Sequence, residues 1–323
     1  MNTLQAVLLG LLQGVTELFP VSSLGHLVLL PTLAGWRIDQ AAPSFLPFAV
    51  MLHLGTAAAL LAFYWRTWVE VVRGFFRSLG RRSLGRPETD PAARLAWLVV
   101  VGVVPTGLLG LLLEKPVARL FASPRLAALF LLLNGGVLAL GELLYARRPG
   151  RARGADGGLS GGALRPVGPR AAEAGDRPAL SQGAGALSTR LPDAEMAIDR
   201  LGLREALWVG VTQALALLPG FSREGVTMTA GLGAGLSRLT AATYSYLLSA
   251  PLILAAGLLE VPKLLRVHGA LGTAVLGGLV AGVAAYASVR WLSRYFRTGT
   301  LWPFAVYSAA AGLVSLLLLV LRG

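Results

Sequence analysis

A carboxylate, two hydroxyls and an imidazole fall within one short stretch near the start of the chain, Gln13-Gly-Val-Thr-Glu17-Leu-Phe-Pro20-Val-Ser22-Ser23-Leu-Gly25-His26. These are groups that do covalent and acid–base work: a carboxylate takes a proton, a hydroxyl attacks, an imidazole does either. Far along the chain, Gln213-Ala-Leu-Ala-Leu-Leu-Pro219-Gly220-Phe-Ser222-Arg223-Glu224-Gly-Val-Thr227 sets a guanidinium among hydroxyls. That fork matches phosphate oxygens, and Ser222 and Thr227 can add hydroxyl donors. A basic, hydroxyl-rich cradle facing a carboxylate and a histidine points to phosphate chemistry more than to cation transport.

Local geometry follows from the same residues. Gln13 and Glu17 stand at i, i+4 and share one helix face. Pro20 ends or kinks that helix, and Ser22 and Ser23 take N-cap positions of the next one. Pro219-Gly220 breaks the second stretch, and Ser222-Arg223 opens a new helix there. A helix start presents free N–H groups and partial positive charge, which suit an anion. Several roles stay open at this level. Ser23 could be the nucleophile with His26 as its base, His26 could attack phosphorus itself, or an activated water could be the attacking group. Gln13 could simply bridge helices. Glu224 could neutralise Arg223 or help to hold a divalent cation. His53, in an apolar His-Leu-Gly-Thr run, is read either as a backbone-bonded packing residue or as a functional one.

Both motifs lie in hydrophobic surroundings. The chain is 55% hydrophobic and 14% charged, which excludes an ordinary soluble domain. Ionisable groups at membrane depth are costly, and broken helices survive there only against protein or a wet cavity. Full spans are predicted at about 43–64, 91–113, 125–145, 240–260, 270–290 and 302–321. The segments 3–35 and 203–238 are each predicted to form a helix followed by a re-entrant helix. The first lysine or arginine is Arg37, so the start lacks the basic region of a cleaved signal and the first helix is expected to be retained.

The predicted architecture is therefore all-α and integral to the membrane, an inverted repeat of two halves, each a re-entrant hairpin followed by three spans. Residues 1–146 form the first repeat and 201–323 the second. Residues 147–200, rich in Gly, Ala, Arg and Pro, read as a disordered cytoplasmic linker. The net charge of +13 is not a nucleic-acid footprint. Loop 65–94, the linker to Arg204 and loop 290–300 hold 20 of the 29 Lys and Arg residues, which places them in the cytoplasm. The first hairpin then opens outward and the second inward. Zero cysteines exclude disulfides and thiolate sites.

On these residues the chain resembles the bacterial undecaprenyl-diphosphate phosphatases, also called bacitracin-resistance proteins. Gln13 to Glu17 fits their (E/Q)xxxE motif, Pro20 to His26 their PVSSxGH pattern, and Pro219 to Thr227 their PGxSRSxxT motif. Phe48 to Thr56 looks like a further segment of the same family. The likeness covers both membrane halves and leaves out the linker. It implies hydrolysis of undecaprenyl diphosphate to the monophosphate carrier of cell-wall synthesis, in the bacterial inner membrane; the outward-opening first hairpin predicts a pocket reached from the outer face. It implies catalytic roles for His26, Ser23 and Glu17, and phosphate binding by Arg223, Ser222, Thr227 and Ser22. It further implies assistance by Mg2+ or Ca2+ at Glu17, with Gln13 a weaker ligand because an amide replaces a carboxylate. Glu224 stands where the motif has serine, and it and His53 are left without an assigned role. The expected partners are the lipid diphosphate, bilayer lipid and a second copy of the chain. A lipid-phosphate transporter built on the same broken helices is the competing expectation.

Overall fold

Apolar runs bounded by capping residues account for the long helices. In a computed structural model, which describes residues 2–40, 42, 44–80, 90–113, 120, 123–147, 198, 201–266 and 270–322, the helices are α1 (Thr3–Thr16), α2 (Ser23–Leu33), α3 (Phe45–Phe63), α4 (Trp65–Gly80), α5 (Pro91–Leu112), α6 (Pro124–Ala146), α7 (Leu203–Gln213), α8 (Arg223–Ala234), α9 (Arg238–Leu265), α10 (Ala270–Tyr295) and α11 (Trp302–Leu321). There is no strand among the described residues. The expected linker, 147–200, lies almost wholly outside them.

The starts obey helix chemistry. Asp90 accepts from the N–H groups of Ala92 and Ala93 with Pro91 in the first turn, and Ser123 accepts from Leu126 N–H ahead of α6. Gly235, with φ of 116°, takes the left-handed conformation that ends α8, and Ser237 caps α9 two residues later. Six helices, α3, α5, α6, α9, α10 and α11, are long and apolar enough to cross a membrane, so the chain is a multi-pass membrane protein. The predicted spans match them to within a few residues. The largest differences are at α9, which runs on to Leu265, and at α10, which runs on to Tyr295. Glu260 is therefore buried on a helix and accepts from Lys263.

Besides α4, with 16 residues, four helices are too short to cross. α1 has 14 residues, α2 and α7 have 11 and α8 has 12. At 1.5 Å per residue each spans at most about 21 Å, short of a hydrocarbon slab of about 30 Å. α1 packs on α10 and α7 packs on α5; α1 lies against α2 and α7 against α8; α6 pairs with α11 and α3 with α9. Small residues permit the closest approaches. A Cβ on Gly10 would run into the Gly277 carbonyl, and one on Gly210 would meet the Gly102 carbonyl at 2.5 Å.

α4 is the element the sequence reading left as loop. Its start lies one residue beyond α3, and it packs against α5.

Candidate active site

The two motif turns touch. A Cβ on Gly25, in the first turn of α2, would sit 3.1 Å from the Cα of Gly220 in the other turn. Asn134 of α6, fully buried, ties them together: its Nδ2 donates to the Pro20 carbonyl at 3.0 Å, and its Oδ1 accepts from Ser222 N–H at 2.9 Å. Nδ2 also reaches Ser308 Oγ on α11 at 3.2 Å. Tyr246 of α9 donates to the Leu18 carbonyl at 3.2 Å. The carbonyls freed by breaking the α1–α2 connection thus find distant partners, as buried backbone must. Ser22 has φ of 67°, an unusual value for a residue with a side chain, and its Oγ accepts from Gly25 N–H at 3.2 Å. Ser222 caps α8 in the same manner, accepting from Gly225 N–H at 3.1 Å. Both motif serines at the helix starts are caps, as expected, with Ser22 the cap and Ser23 the first helical residue.

Glu17 is the hub. Its Oε2 accepts from Ser23 Oγ at 2.5 Å and from Gln13 Nε2 at 2.9 Å, and lies 3.1 Å from His53 Nε2. Its Oε1 pairs with Nη2 of Arg223 from the other half of the chain. Arg223 Nε lies 3.5 Å from Glu224 Oε1, a pair without hydrogen-bond geometry. Glu224 in turn accepts from Ser249 Oγ on α9 at 2.8 Å. Thr227 bonds back to the Arg223 carbonyl and lies 2.6 Å from Ser245 Oγ. Arg223 and His53 keep 16% and 13% of their side chains exposed against 3% for Glu17, so the cluster opens at their edge.

His26 stands apart. Its Nδ1 lies 2.7 Å from the Ser22 carbonyl, which can only accept, so the proton sits on Nδ1. Its Nε2 then faces the hydroxyl of Tyr307 at 2.9 Å, with the two rings near parallel. The structure brings together Gln13, Glu17, Ser23, His53, Arg223 and Glu224, and gives His26 no bond to Ser23 or Glu17. The imidazole beside the carboxylate is His53, whose Nδ1 lies 2.8 Å from the Ala49 carbonyl. Sequence reading missed Asn134, Tyr307, Ser245 and Ser249. Each is an uncharged polar residue within a long membrane helix, a signal shared with ordinary helix-bridging residues such as Thr106, bonded to the Gly210 carbonyl.

What the cluster can do is activate a hydroxyl. Ser23 donates its proton to a carboxylate, and a guanidinium at the same carboxylate can turn to an incoming anion. The donor set was also tested against a divalent cation. Among the described residues no three His, Asp or Glu side chains gather to hold one, and Glu17 is already engaged by four N–H and O–H groups. Buried Gln13 Oε1 is the one nearby oxygen without a partner. In this arrangement the residues do not make a protein-held metal site, and no step is routed through a metal.

Comparison with known proteins gives the family of the chain. The family model described as "Bacitracin resistance protein BacA" matches residues 6–314. The chain belongs to this family. Proteins named undecaprenyl-diphosphatase are similar along its whole length. One from Mycolicibacterium paratuberculosis is 45% identical over 100% of this chain and 99% of its own. One from Acidiphilium cryptum is 43% identical over 99% of each. An undecaprenyl-diphosphatase 1 from Burkholderia pseudomallei is 43% identical over 96% of this chain and 94% of its own.

Proposed function

We propose that the chain is a membrane phosphatase that hydrolyses undecaprenyl diphosphate to undecaprenyl phosphate and inorganic phosphate, recycling the lipid carrier of cell-wall synthesis. The observation that carries the mechanism is the Ser23 hydroxyl on the Glu17 carboxylate, with Arg223 at the same carboxylate. The diphosphate enters at the exposed edge of Arg223 and His53 and draws the guanidinium from Glu17 to its own oxygens. Ser222 and Thr227 hold the α8 start on which Arg223 is mounted, and Ser22 that of α2. Ser23 Oγ attacks the terminal phosphorus while its proton passes to Glu17. The bond from phosphorus to the bridging oxygen breaks, and undecaprenyl phosphate leaves with its charge offset by Arg223. Water then attacks the phosphoserine and yields its proton to His26 Nε2 as the Tyr307 hydroxyl turns away, and His26 passes that proton to the departing phosphate. Ser23 Oγ departs and recovers the proton that Glu17 held.

The fold around this site is proposed as an inverted repeat. Its support is reciprocal packing: α1 on α10 mirrors α7 on α5, α1–α2 mirrors α7–α8, and α3–α9 and α6–α11 pair like with like. With the arginine-rich loops inside, the chain sits in the bacterial inner membrane, the first hairpin opens outward and the pocket is reached from the outer face. Because the chain has no cysteine, single cysteines at 73 and 263 report this by reagent accessibility in intact cells. Reaction of position 73 from outside overturns the orientation.

The deciding assay is phosphate release from undecaprenyl diphosphate by purified protein in detergent, run with and without chelator. Release with wild-type turnover is expected, together with a labelled Ser23 peptide after acid quench. No release overturns the activity, and release without Ser23 labelling in any time window overturns the serine route. The Mg2+ or Ca2+ implied by the resemblance is proposed to enter on the diphosphate itself, so chelator lowers the rate and added cation restores it.

A further inference from the structure

Helix α4 divides into three sectors along its length. Thr67 and Val71 are buried, a Cβ on Gly74 would meet the Ala92 carbonyl carbon at 2.5 Å, and Ser78 Oγ accepts from Trp97 Nε1 at 3.1 Å. This sector seats α4 on α5. Trp65, Val69, Val72, Phe76 and Leu79 are exposed, with Phe76 at 65%. Their spacing of four, three, four and three places them on one stripe within roughly 80° of arc. Arg66, Arg73 and Arg77 are exposed along one flank of that stripe, roughly a quarter turn away. The guanidinium of Arg66 lies 5.2 Å from the centre of the Trp65 ring, and Arg77 pairs with Asp90 at 2.9 Å.

Position says what covers the stripe. α3, which crosses the membrane, ends at Phe63 with Tyr64 alone before α4, and α5 starts its own crossing at Pro91. α4 is thereby tethered at the membrane end shared by two spans. A helix with one apolar stripe, an arginine flank and an aromatic at its boundary suits the zone where acyl chains meet headgroups. Water on the stripe would leave five large side chains hydrated, and a headgroup layer of negative charge complements the arginines.

We propose that α4 lies along the bilayer interface, its 65/69/72/76/79 stripe in the acyl boundary and Arg66 and Arg73 on the phosphates of anionic phospholipids. The cysteine-free chain permits a direct test. Val69→Cys, Val72→Cys, Phe76→Cys and Arg73→Cys each receive a nitroxide, in nanodiscs of three parts phosphatidylethanolamine to one of phosphatidylglycerol. Collisions with oxygen are expected to dominate at 69, 72 and 76, and collisions with a water-soluble nickel chelate at 73. Nickel access at the stripe means that water covers it, and exclusion of both reagents means that protein does, a second copy included. Either result overturns the proposal. In a second arm, Arg66→Gln/Arg73→Gln is expected to lower at least twofold the enrichment of phosphatidylglycerol over phosphatidylethanolamine in lipid co-purified with the protein. Unchanged enrichment overturns the arginine assignment. Both readouts are positional and stand apart from whether the protein releases phosphate.

Discussion

Two buried carboxylate–arginine pairs link distant parts of this chain, and they are built differently. Glu142 of α6 grips Arg238 of α9 through two bonds, 2.8 and 2.6 Å, and also accepts from Leu301 N–H at 2.6 Å. Arg238 is further covered by the Tyr145 ring, 4.0 Å away. Both carboxylate oxygens and the guanidinium face are used, so the pair clamps α6, α9 and the start of α11. Glu17 and Arg223 share one contact. Arg223 Nε lacks a hydrogen bond, Gln13 Oε1 lacks any partner, and Oε2 of Glu17 faces three donors at once. Desolvating ions is costly unless geometry is complete. Where it is complete the pair serves structure; where it is not, the spare valence is available to a ligand.

Variants can break this contrast. Ser23→Ala is expected to lower phosphate release at least about a thousandfold, and Arg223→Ala about a hundred- to a thousandfold, with thermal stability in detergent near wild type. Wild-type turnover in either removes that residue from the mechanism. Glu142→Ala should do the reverse. Leaving the part-buried Arg238 without a carboxylate lowers stability, by less than the about 3–5 kcal/mol of a fully buried pair. Its effect appears in thermal or denaturant unfolding, while turnover per folded molecule stays near wild type. Loss of turnover at full stability would mean that the clamp is part of the site.

Asn134→Leu tests the join between the two turns. It strands the Pro20 carbonyl and Ser222 N–H, about 1–3 kcal/mol for each unsatisfied group, and should cost roughly tenfold in turnover. Stability that falls with turnover intact would make Asn134 packing alone. Glu224→Ser removes a negative charge beside Arg223. KM for the diphosphate should fall about threefold, because one competitor for the guanidinium is gone. A raised KM would instead show that Glu224 orients Arg223 for substrate. The smallest effect is expected for Tyr307→Phe, a few-fold drop in kcat at constant KM. It should also speed modification of His26 by diethyl pyrocarbonate, since Nε2 is uncovered. His53, which Tyr307 does not touch, is the control.

Most of the fold was written in local chemistry. Twenty-residue apolar runs, Pro20 and Pro219-Gly220 as breaks, and Ser22 and Ser222 as caps mark the spans and the two pairs of short helices. α4 was legible too, in the apolar stripe at Trp65, Val69, Val72, Phe76 and Leu79, but a charge count over 65–94 averages that stripe away. The site was legible in its residue types and only half legible in its pairings. Glu17 and Ser23 sit six residues apart, and their contact depends on the turn between them closing. His26, three residues past Ser23, is turned outward to Tyr307, while His53 arrives at Glu17 from α3.

What the sequence determined by itself was which segments are apolar, where they must break and which ionisable groups sit at the breaks, because burial and backbone hydrogen bonding act through neighbours along the chain. What only the tertiary structure decided was which imidazole faces the carboxylate and how the two turns are locked at Asn134. Those contacts join residues distant in sequence, and helix packing, not local spacing, brings them within hydrogen-bond reach.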